Sequence, residues 1–268
     1  MSSTKKTTGG FTSILGAISI AIALVIGILI YKFVLGDPSN FVDNNPENEA
    51  LKGNMMGIVY KGGVIVPVLI AVNIIVLIYV FERFVTLFKA SGKGNLIGFV
   101  TKVKGLLADG NIEGAKEACE TQKGSLANVV ASGLEKYEAT KADASLDKEQ
   151  KIEVVKKELE EATALELPML SKNLVIFSTI ASSSVLIGLV GTVLGMIKSF
   201  SAMAGGTPDT AQLAAGISEA LINTALGIFG SLIAIIFYNM FSTKIDQMTH
   251  AMDEASFTIV QDFSKTIN

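Results

Sequence analysis

The chain has 268 residues, of which 50% are hydrophobic and only 18% are charged, and its mean hydropathy is +0.50. Soluble domains of this length are rarely so apolar, so the composition indicates a membrane protein with one polar domain. A net charge of -3 provides no field that would attract nucleic acid. The single cysteine, Cys119, excludes an intramolecular disulfide, and the single histidine, His250, leaves no cluster for a metal or haem. Because nucleotide-binding and nucleophile motifs are also missing, we expect neither an enzyme nor a cofactor.

Four stretches are free of charged residues for long enough to cross a bilayer, which takes about 20 helical residues. They run from Phe11 to Tyr31, between Lys61 and Glu82, between Lys172 and Lys198, and from Ala220 to Thr243. No small-residue cleavage site follows the first stretch, so we expect an uncleaved membrane helix there rather than a secretory signal. The predicted fold class is all-α, a polytopic membrane protein with four transmembrane helices and a cytoplasmic helical domain.

Lysine and arginine accumulate on the cytoplasmic side of membrane proteins, and their positions orient the four spans. These cations flank the spans at Lys5, Lys6, Arg83, Lys89, Lys93, Lys102, Lys104, Lys172 and Lys244. With four spans all of them fall on one side of the membrane, so both termini are expected in the cytoplasm. The expected segments are an N-terminal tail with the first span (1–36), a periplasmic segment (37–61), the second span (62–88), a cytoplasmic helical domain (89–171), the third span (172–203), a periplasmic turn (204–210), the fourth span (211–243) and a cytoplasmic tail (244–268).

Local patterns predict several features between the spans. The outer segment opens with a turn at Asp37, and its later half, Glu49 to Tyr60, has the apolar residues of a short surface helix. In the cytoplasmic domain, the pair Gly110-Asn111 predicts a helix break. Cys119 lies at helical spacing with small residues, which favours a core position over a reactive thiol. From Glu149 to Leu167, mixed lysine and glutamate predict a long helix that runs into the third span.

Small and hydroxylated residues form a stripe on each of the last two spans. The stripe of the third span consists of Ser184, Gly188, Thr192, Gly195 and Ser199, and that of the fourth consists of Gly216, Ala220, Asn223, Thr224, Gly227, Gly230, Ser231 and Ala234. Bulky residues favour lipid, so each stripe is expected to face protein or water. One interpretation is tight helix packing, in which small residues let backbones approach. The other is a lumen that holds a partner helix and conducts an ion along hydroxyl groups.

Glu219 favours the lumen, because an acid in or near a membrane span usually faces an interior and marks an ion path. The alternative places this glutamate at the outer interface, solvated and without a role. Thr207 is expected to cap the fourth helix, with Asp209 in its first turn. Glu219 is then expected near the periplasmic mouth of a pore, outside the hydrocarbon edge near Thr224.

The two C-terminal spans also carry a family resemblance. Residues 188–196, Gly-Leu-Val-Gly-Thr-Val-Leu-Gly-Met, resemble the Gly-Leu-Leu-Gly-Thr-Val-x-Gly signature of the ExbB/TolQ proton-channel family. Residues 216–227 resemble that family's last-helix motif, Gly-Ile-x-Glu-Ala-Leu-x-x-Thr-Ala-x-Gly, and the spacing between the two motifs also fits. The resemblance covers about Gly62 to Thr243. Typical members have three membrane helices, so the first span is additional here. Its Ser19, Ala23 and Gly27 predict packing on a neighbouring helix.

The resemblance implies a homo-oligomeric ring, a pentamer in this family, in which the last two helices line a central pore. It implies an ExbD/TolR-like membrane protein in that pore, whose aspartate carries the proton past the hydroxyls of Thr192 and Thr224, while Glu219 matches the glutamate of the last motif. It also implies the inner membrane of a Gram-negative bacterium and a TonB-like protein that transmits force to outer-membrane receptors. The candidate ion-path residues are Thr192, Thr224, Glu219, Ser184, Ser199 and Asn223, and the candidate helix-packing residues are Gly188, Gly195, Gly216 and Gly227.

Three other functions remain open from the sequence. A TolQ-like motor for envelope constriction or surface motility would use the same mechanism. A MotA-like flagellar stator also has four spans, but the long outer segment between the first two spans speaks against it here, and the third-span signature is of the ExbB/TolQ type. A passive scaffold, in which the polar stripes only join helices, belongs to a different class. The conducted ion, a proton or sodium, also remains open.

Overall fold

The structure, a computed structural model, describes residues 8–143, 145–203 and 209–266, with side chains from Ile18 onward. The first seven residues and most of the predicted outer turn (204–210) therefore lie outside the described residues. In chain order the α-helices are α1 (Thr8–Leu29), α2 (Met55–Tyr60), α3 (Val66–Ala90), α4 (Leu96–Ala108), α5 (Ile112–Gln122), α6 (Gly124–Ala142), α7 (Lys148–Ser171), α8 (Leu174–Ser201) and α9 (Thr210–Thr266). Apart from one bridge between Phe41 and Ala50, these residues contain no strand pairing, so the all-α class is confirmed.

Four helical stretches among the described residues are long and apolar enough to cross a membrane, as predicted. They are Ile18–Leu35, Gly63–Ala90, Lys148–Ser201 and Thr210–Thr266. The chain divides into two compact units. The first unit comprises Met1–Val80 and Val175–Tyr238, and the second comprises Phe81–Leu174 and Asn239–Asn268. Helices α3 and α9 thus contribute residues to both units.

The additional first helix packs on α3 through its small residues. Ala23 is fully buried, and a Cβ atom added at Gly27 would lie 2.6 Å from the carbonyl oxygen of Pro67. The hydroxyls of Ser19 and Tyr79 are 3.5 Å apart. This contact confirms the packing predicted from the spacing of the small residues.

Polar side chains order the segment between α1 and α3. Asp37 accepts a hydrogen bond from the backbone N–H of Ser39, which forms the predicted turn. Asn54 caps the short helix α2 by accepting from the backbone N–H groups of Met56 and Gly57, and that helix lies within the predicted range. Inside the segment, the buried side chain of Asn40 accepts from the amide of Asn54 at 2.9 Å. The segment is therefore a folded piece rather than an extended loop.

In the second unit, two predictions hold in detail. Helices α4 and α5 are separated at Gly110, whose φ of +71° is a left-handed conformation that glycine adopts without strain. Cys119 is buried, and that burial raises the pKa of its thiol to about 11. A thiol with such a pKa is almost entirely protonated at neutral pH, so Cys119 is a core residue and not a nucleophile.

The helix that the sequence predicts to run into the third span is interrupted. Helix α7 ends at Ser171 and α8 begins at Leu174, with Asn173 between them at a φ of +63°. The buried guanidinium of Arg83 lies at this junction, where it donates to the carbonyl oxygens of Met169 and Leu170 at 3.4 Å each. Those carbonyls belong to the last turn of α7 and have no partner further along that helix. The interruption is therefore stabilised by a side chain distant in the sequence.

Candidate functional site

The two stripes of small residues face each other within the first unit. On α8 the buried residues are Phe177, Ile180, Ser184, Gly188, Gly191, Gly195 and Ser199. On the facing part of α9 they are Gly216, Glu219, Ala220, Asn223, Gly227, Gly230, Ser231 and Ala234. Most of each stripe therefore packs two helices of one chain together, which is the first of the two interpretations of the stripes.

The backbones of α8 and α9 touch at four glycines. A Cβ atom added at Gly188 would lie 2.8 Å from the carbonyl oxygen of Asn223 and 3.1 Å from the Cα atom of Gly227. One added at Gly195 would lie 2.6 Å from the carbonyl oxygen of Gly216. Real Cβ atoms do not approach this closely, so the four predicted packing glycines lie where no side chain fits.

Thr192 and Thr224 lie at the edge of this contact, half-buried, and their hydroxyl groups are hydrogen-bonded to each other. Both hydroxyls also approach the carbonyl oxygen of Ala220, at 3.3 Å from Thr192 and 3.2 Å from Thr224. A hydroxyl can donate and accept at the same time. The hydroxyl of Thr192 also lies 3.1 Å from the carbonyl oxygen of Gly188, so the hydroxyl pair is bounded by two backbone carbonyls, while both threonines keep part of their surface exposed.

Three other predicted ion-path residues are buried within the chain. Ser184 and Asn223 have no exposed surface, and Ser199 is 1% exposed. The hydroxyl of Ser199 donates to the carbonyl oxygen of Leu213 at 3.1 Å. The structure therefore brings these three side chains into the α8–α9 contact and leaves them no surface that faces away from the chain.

Asn223 and Glu219 join α9 to the turn that precedes α3. The side-chain amide of Asn223 donates to the carbonyl oxygen of Gly62 at 2.9 Å. The carboxylate of Glu219 lies against Gly63, where an added Cβ atom would collide with it, and the φ of +77° at Gly63 also favours glycine. The acid and the amide, one turn apart on α9, thus hold consecutive residues of the turn.

Glu219 forms an ion pair that the sequence analysis missed. Lys198 Nζ lies 2.9 Å from Glu219 Oε2, and Glu219 is only 9% exposed. A solvated glutamate, the alternative considered from the sequence, does not describe this arrangement within the chain. The signal was present, because α8 and α9 run antiparallel: six residues after Thr192 comes Lys198, and five before Thr224 comes Glu219. Once the two threonines are paired, the acid and the lysine fall opposite each other.

A second cation lies near this pair. Lys61 Nζ donates to the carbonyl oxygens of Pro46 and Glu47 at 2.8 and 3.1 Å. Partial burial and, next, the positive charge of Lys198 lower the pKa of Lys61. The negative charges of Glu47 and Glu49 act on the pKa of Lys61 in the opposite direction, so the surroundings of the Lys198–Glu219 pair carry charges of both signs.

Helix α9 begins later than the sequence predicted. Asp209 Oδ1 accepts from the backbone N–H groups of Ala211 and Gln212 at 3.0 Å each, so Asp209 is the cap and not a first-turn residue. Thr207, the expected cap, lies outside the described residues. At 3.6 residues per turn, Glu219 then falls in about the third turn of α9.

In the part of the chain that the structure describes, no three His, Cys, Asp or Glu side chains come together to form a metal site. The polar groups that the site offers are hydroxyls, an amide and one ion pair.

A profile of the MotA/TolQ/ExbB proton channel family matches residues 121–254, which is half of the chain and includes both stripes. The chain belongs to this family.

Curated relatives of this family member carry names of two kinds. The biopolymer transport protein ExbB-like 3 of Synechocystis is 42% identical over 86 residues, which are 31% of this chain and 41% of that protein. The Tol-Pal system protein TolQ of Pseudomonas aeruginosa is 32% identical over 121 residues, 45% of this chain and 52% of that protein. The biopolymer transport protein ExbB of Pseudomonas putida is 36% identical over 86 residues, 32% of this chain and 26% of that protein. The alignments thus span between about a quarter and about half of these relatives.

Proposed function

We propose that this chain is an ExbB-like proton-channel subunit that converts the proton motive force into mechanical work and performs no covalent chemistry. The observation that carries the proposal is the hydroxyl pair of Thr192 and Thr224 at the free edge of a rigid helix contact. Conduction needs ligands that exchange protons, and hydroxyls provide them. The pair contains no group that stores a proton, so an acid from a partner has to complete the path.

The partner is an ExbD/TolR-like protein whose membrane helix carries that acid. Several copies of this chain, five by analogy with the family, surround the partner in the inner membrane of a Gram-negative bacterium, with all termini in the cytoplasm. The large apolar side chains exposed on α8 and α9 support an assembly in lipid, because they have no cover within one chain. Examples are Leu186, Leu189, Leu221 and Phe229.

Within this proposal the six candidate ion-path residues have three roles. Thr192 and Thr224 face the partner, and Glu219, paired with Lys198, lies at the outer end of the path. Ser184, Ser199 and Asn223 act from inside the chain, where Ser184 packs, Ser199 bonds α8 to α9, and Asn223 bonds α9 to the turn before α3. This division follows from burial, because a side chain without exposed surface has no access to a partner helix.

The work done is the transport of nutrients through outer-membrane receptors with a TonB-like protein. A second candidate is a TolQ-like role in maintaining the envelope, since the TolQ relative of Pseudomonas aeruginosa aligns over the longest stretch of those compared. The genes beside this one distinguish the two: a gene for a TonB-like protein supports the first, and a Tol gene set supports the second. A gene for a peptidoglycan-binding partner would instead indicate a MotA-like stator.

Reconstitution tests the channel itself. The full-length chain, purified with and without the product of a neighbouring gene that encodes a single membrane helix with an aspartate, is placed in liposomes containing a pH-sensitive dye. Under an imposed potassium diffusion potential, we expect proton uptake with the partner and none with the chain alone. Absence of flux in both preparations, although the complex is intact, would leave a passive scaffold as the function. Sodium flux instead of proton flux would identify the other ion.

A further inference from the structure

A groove of about 1030 Å³ lies in the second unit, between the end of α3, the loop that follows it, and residues 239–247 of α9. It is lined by Phe84, Leu87, Phe88, Ser91, Gly92, Lys93, Gly94, Asn239, Met240, Phe241, Thr243, Lys244 and Gln247. None of these residues belongs to the ion path proposed above. The groove therefore needs a separate explanation.

One part of the groove is apolar. Its buried residues are Leu87 and Phe241, both 3% exposed, while Phe84, Phe88 and Met240 present large exposed surfaces beside them. Phe84 and Phe88 belong to the apolar stretch Gly63–Ala90, which is long enough to cross a membrane. This part is suited to a flexible hydrocarbon chain.

The other part is polar and positive. Among the described residues that line the groove, the charged side chains are Lys93 and Lys244, and Ser91, Thr243 and Gln247 add hydrogen-bonding groups. Lys93 follows the end of α3 by three residues, so the polar part begins where the apolar stretch ends. Two lysines and several donors at the end of an apolar channel complement a phosphate group attached to a hydrocarbon chain.

The loop that carries Lys93 is held in place without a ligand. The backbone N–H of Lys93 donates to the carbonyl oxygen of Gln122 at 2.6 Å. Gly92 and Gly94 on either side have φ values of +70° and +92°, conformations that only glycine adopts without strain. The lysine is therefore presented by a fixed backbone, which lowers the entropy cost of binding.

We propose that this groove binds one anionic phospholipid from the leaflet on the cytoplasmic side, with an acyl chain along Phe84, Phe88 and Met240 and the phosphate between Lys93 and Lys244. The combination of an apolar groove with two lysines at its end favours this occupant. A partner protein in the groove would instead need carboxylates placed opposite both lysines. Zwitterionic lipids carry a compensating positive charge in the headgroup and bind less tightly.

Native mass spectrometry of the full-length protein tests the site. The protein is titrated in mild detergent with phosphatidylglycerol or with phosphatidylcholine of the same acyl chains. We expect the wild type to retain phosphatidylglycerol in preference to phosphatidylcholine. The double variant Lys93→Gln/Lys244→Gln should bind phosphatidylglycerol about thirty-fold more weakly, which corresponds to about 1 kcal/mol for each lysine. The matched control is Lys102→Gln/Lys104→Gln, two exposed lysines of α4 outside the groove, which should bind like the wild type.

A second variant tests the shape of the site. Thr243→Trp fills the groove with both lysines in place and is expected to reduce phosphatidylglycerol retention, whereas the elution volume of the protein stays unchanged. Equal retention of the two lipids, or unchanged retention in the double lysine variant, would overturn the proposal. Efficient cross-linking of two chains of the variant Phe88→Cys, insensitive to added phosphatidylglycerol, would also overturn the proposal, since a second copy would then occupy the groove.

Discussion

Gly227→Leu is expected to abolish the contact between α8 and α9 and, with it, a stable assembly. The Cβ atom of any side chain at this position would lie 2.7 Å from the carbonyl oxygen of Ser184 and 3.0 Å from the Cα atom of Gly188. Both neighbours are backbone atoms, so no rotamer change relieves the clash and the helices have to separate. Extra methylenes in a packed core cost about 1–3 kcal/mol even where side chains can adjust, and the cost here exceeds that range.

Size-exclusion chromatography of the full-length protein in mild detergent measures this effect. We expect wild-type protein to elute as one oligomeric peak and Gly227→Leu to elute as aggregate or as separate chains. The matched control is Ala225→Leu, a similar change on the same helix at an exposed position. Gly227→Ala should lie in between, because the Cβ atom alone is already too close. An oligomer of normal size and thermal stability for Gly227→Leu would contradict the packing described here.

Lys198→Met is expected to destabilise the protein, and Glu219→Gln added to it is expected to restore much of the loss. The lysine substitution leaves a carboxylate that is 9% exposed without its cation. An unpaired buried charge costs several kcal/mol, but Lys198 itself is largely exposed, so we expect about 1–3 kcal/mol. Glutamine removes the charge and keeps the contact with Gly63, which is why the double variant recovers.

Thermal unfolding of the four proteins in the same detergent gives the coupling between the two positions. Lys172→Met, an exposed lysine at the other end of the span, is the control and should leave the melting temperature unchanged. If Glu219→Gln lowers the melting temperature of Lys198→Met by as much as it lowers that of the wild type, the two residues act independently. The ion pair would then contribute nothing to the fold, and Glu219 would be free for the partner.

The four spans and both stripes are predictable from the sequence because hydropathy and helical period are local properties. What each stripe residue faces is not a local property of the sequence. Thr192 lies on the same face of α8 as Ser199, about two turns away, yet the structure buries the serine and leaves the threonine partly exposed. Only the position of the facing helix decides between the two, and a helical period does not contain that position. For the same reason, the helical period alone does not separate Ser184, Ser199 and Asn223 from the two threonines.

The interruption before α8 was missed for a different reason. Asn173 adopts a positive φ, and Arg83, nearly 90 positions away, stabilises the carbonyls that the break leaves unpaired. In the sequence, a lysine- and glutamate-rich helix followed by an apolar one carries no signal for this. The pairing of Lys198 with Glu219 is predictable from the sequence, since two antiparallel helices in register bring those positions together.

Proton flux through complexes with single Thr→Val substitutions tests the central claim that the hydroxyl pair carries the proton. Valine keeps the shape of threonine and removes its hydroxyl, and interhelical hydrogen bonds in membranes average only about 0.6 kcal/mol, so assemblies should stay intact. Thr179→Val, an exposed position on α8, is the control. We expect both Thr192→Val and Thr224→Val to reduce partner-dependent flux at least about tenfold, because one broken link interrupts the chain, while Thr179→Val conducts normally. Wild-type flux through intact complexes of both variants would show that the hydroxyls only join helices, and would contradict the account.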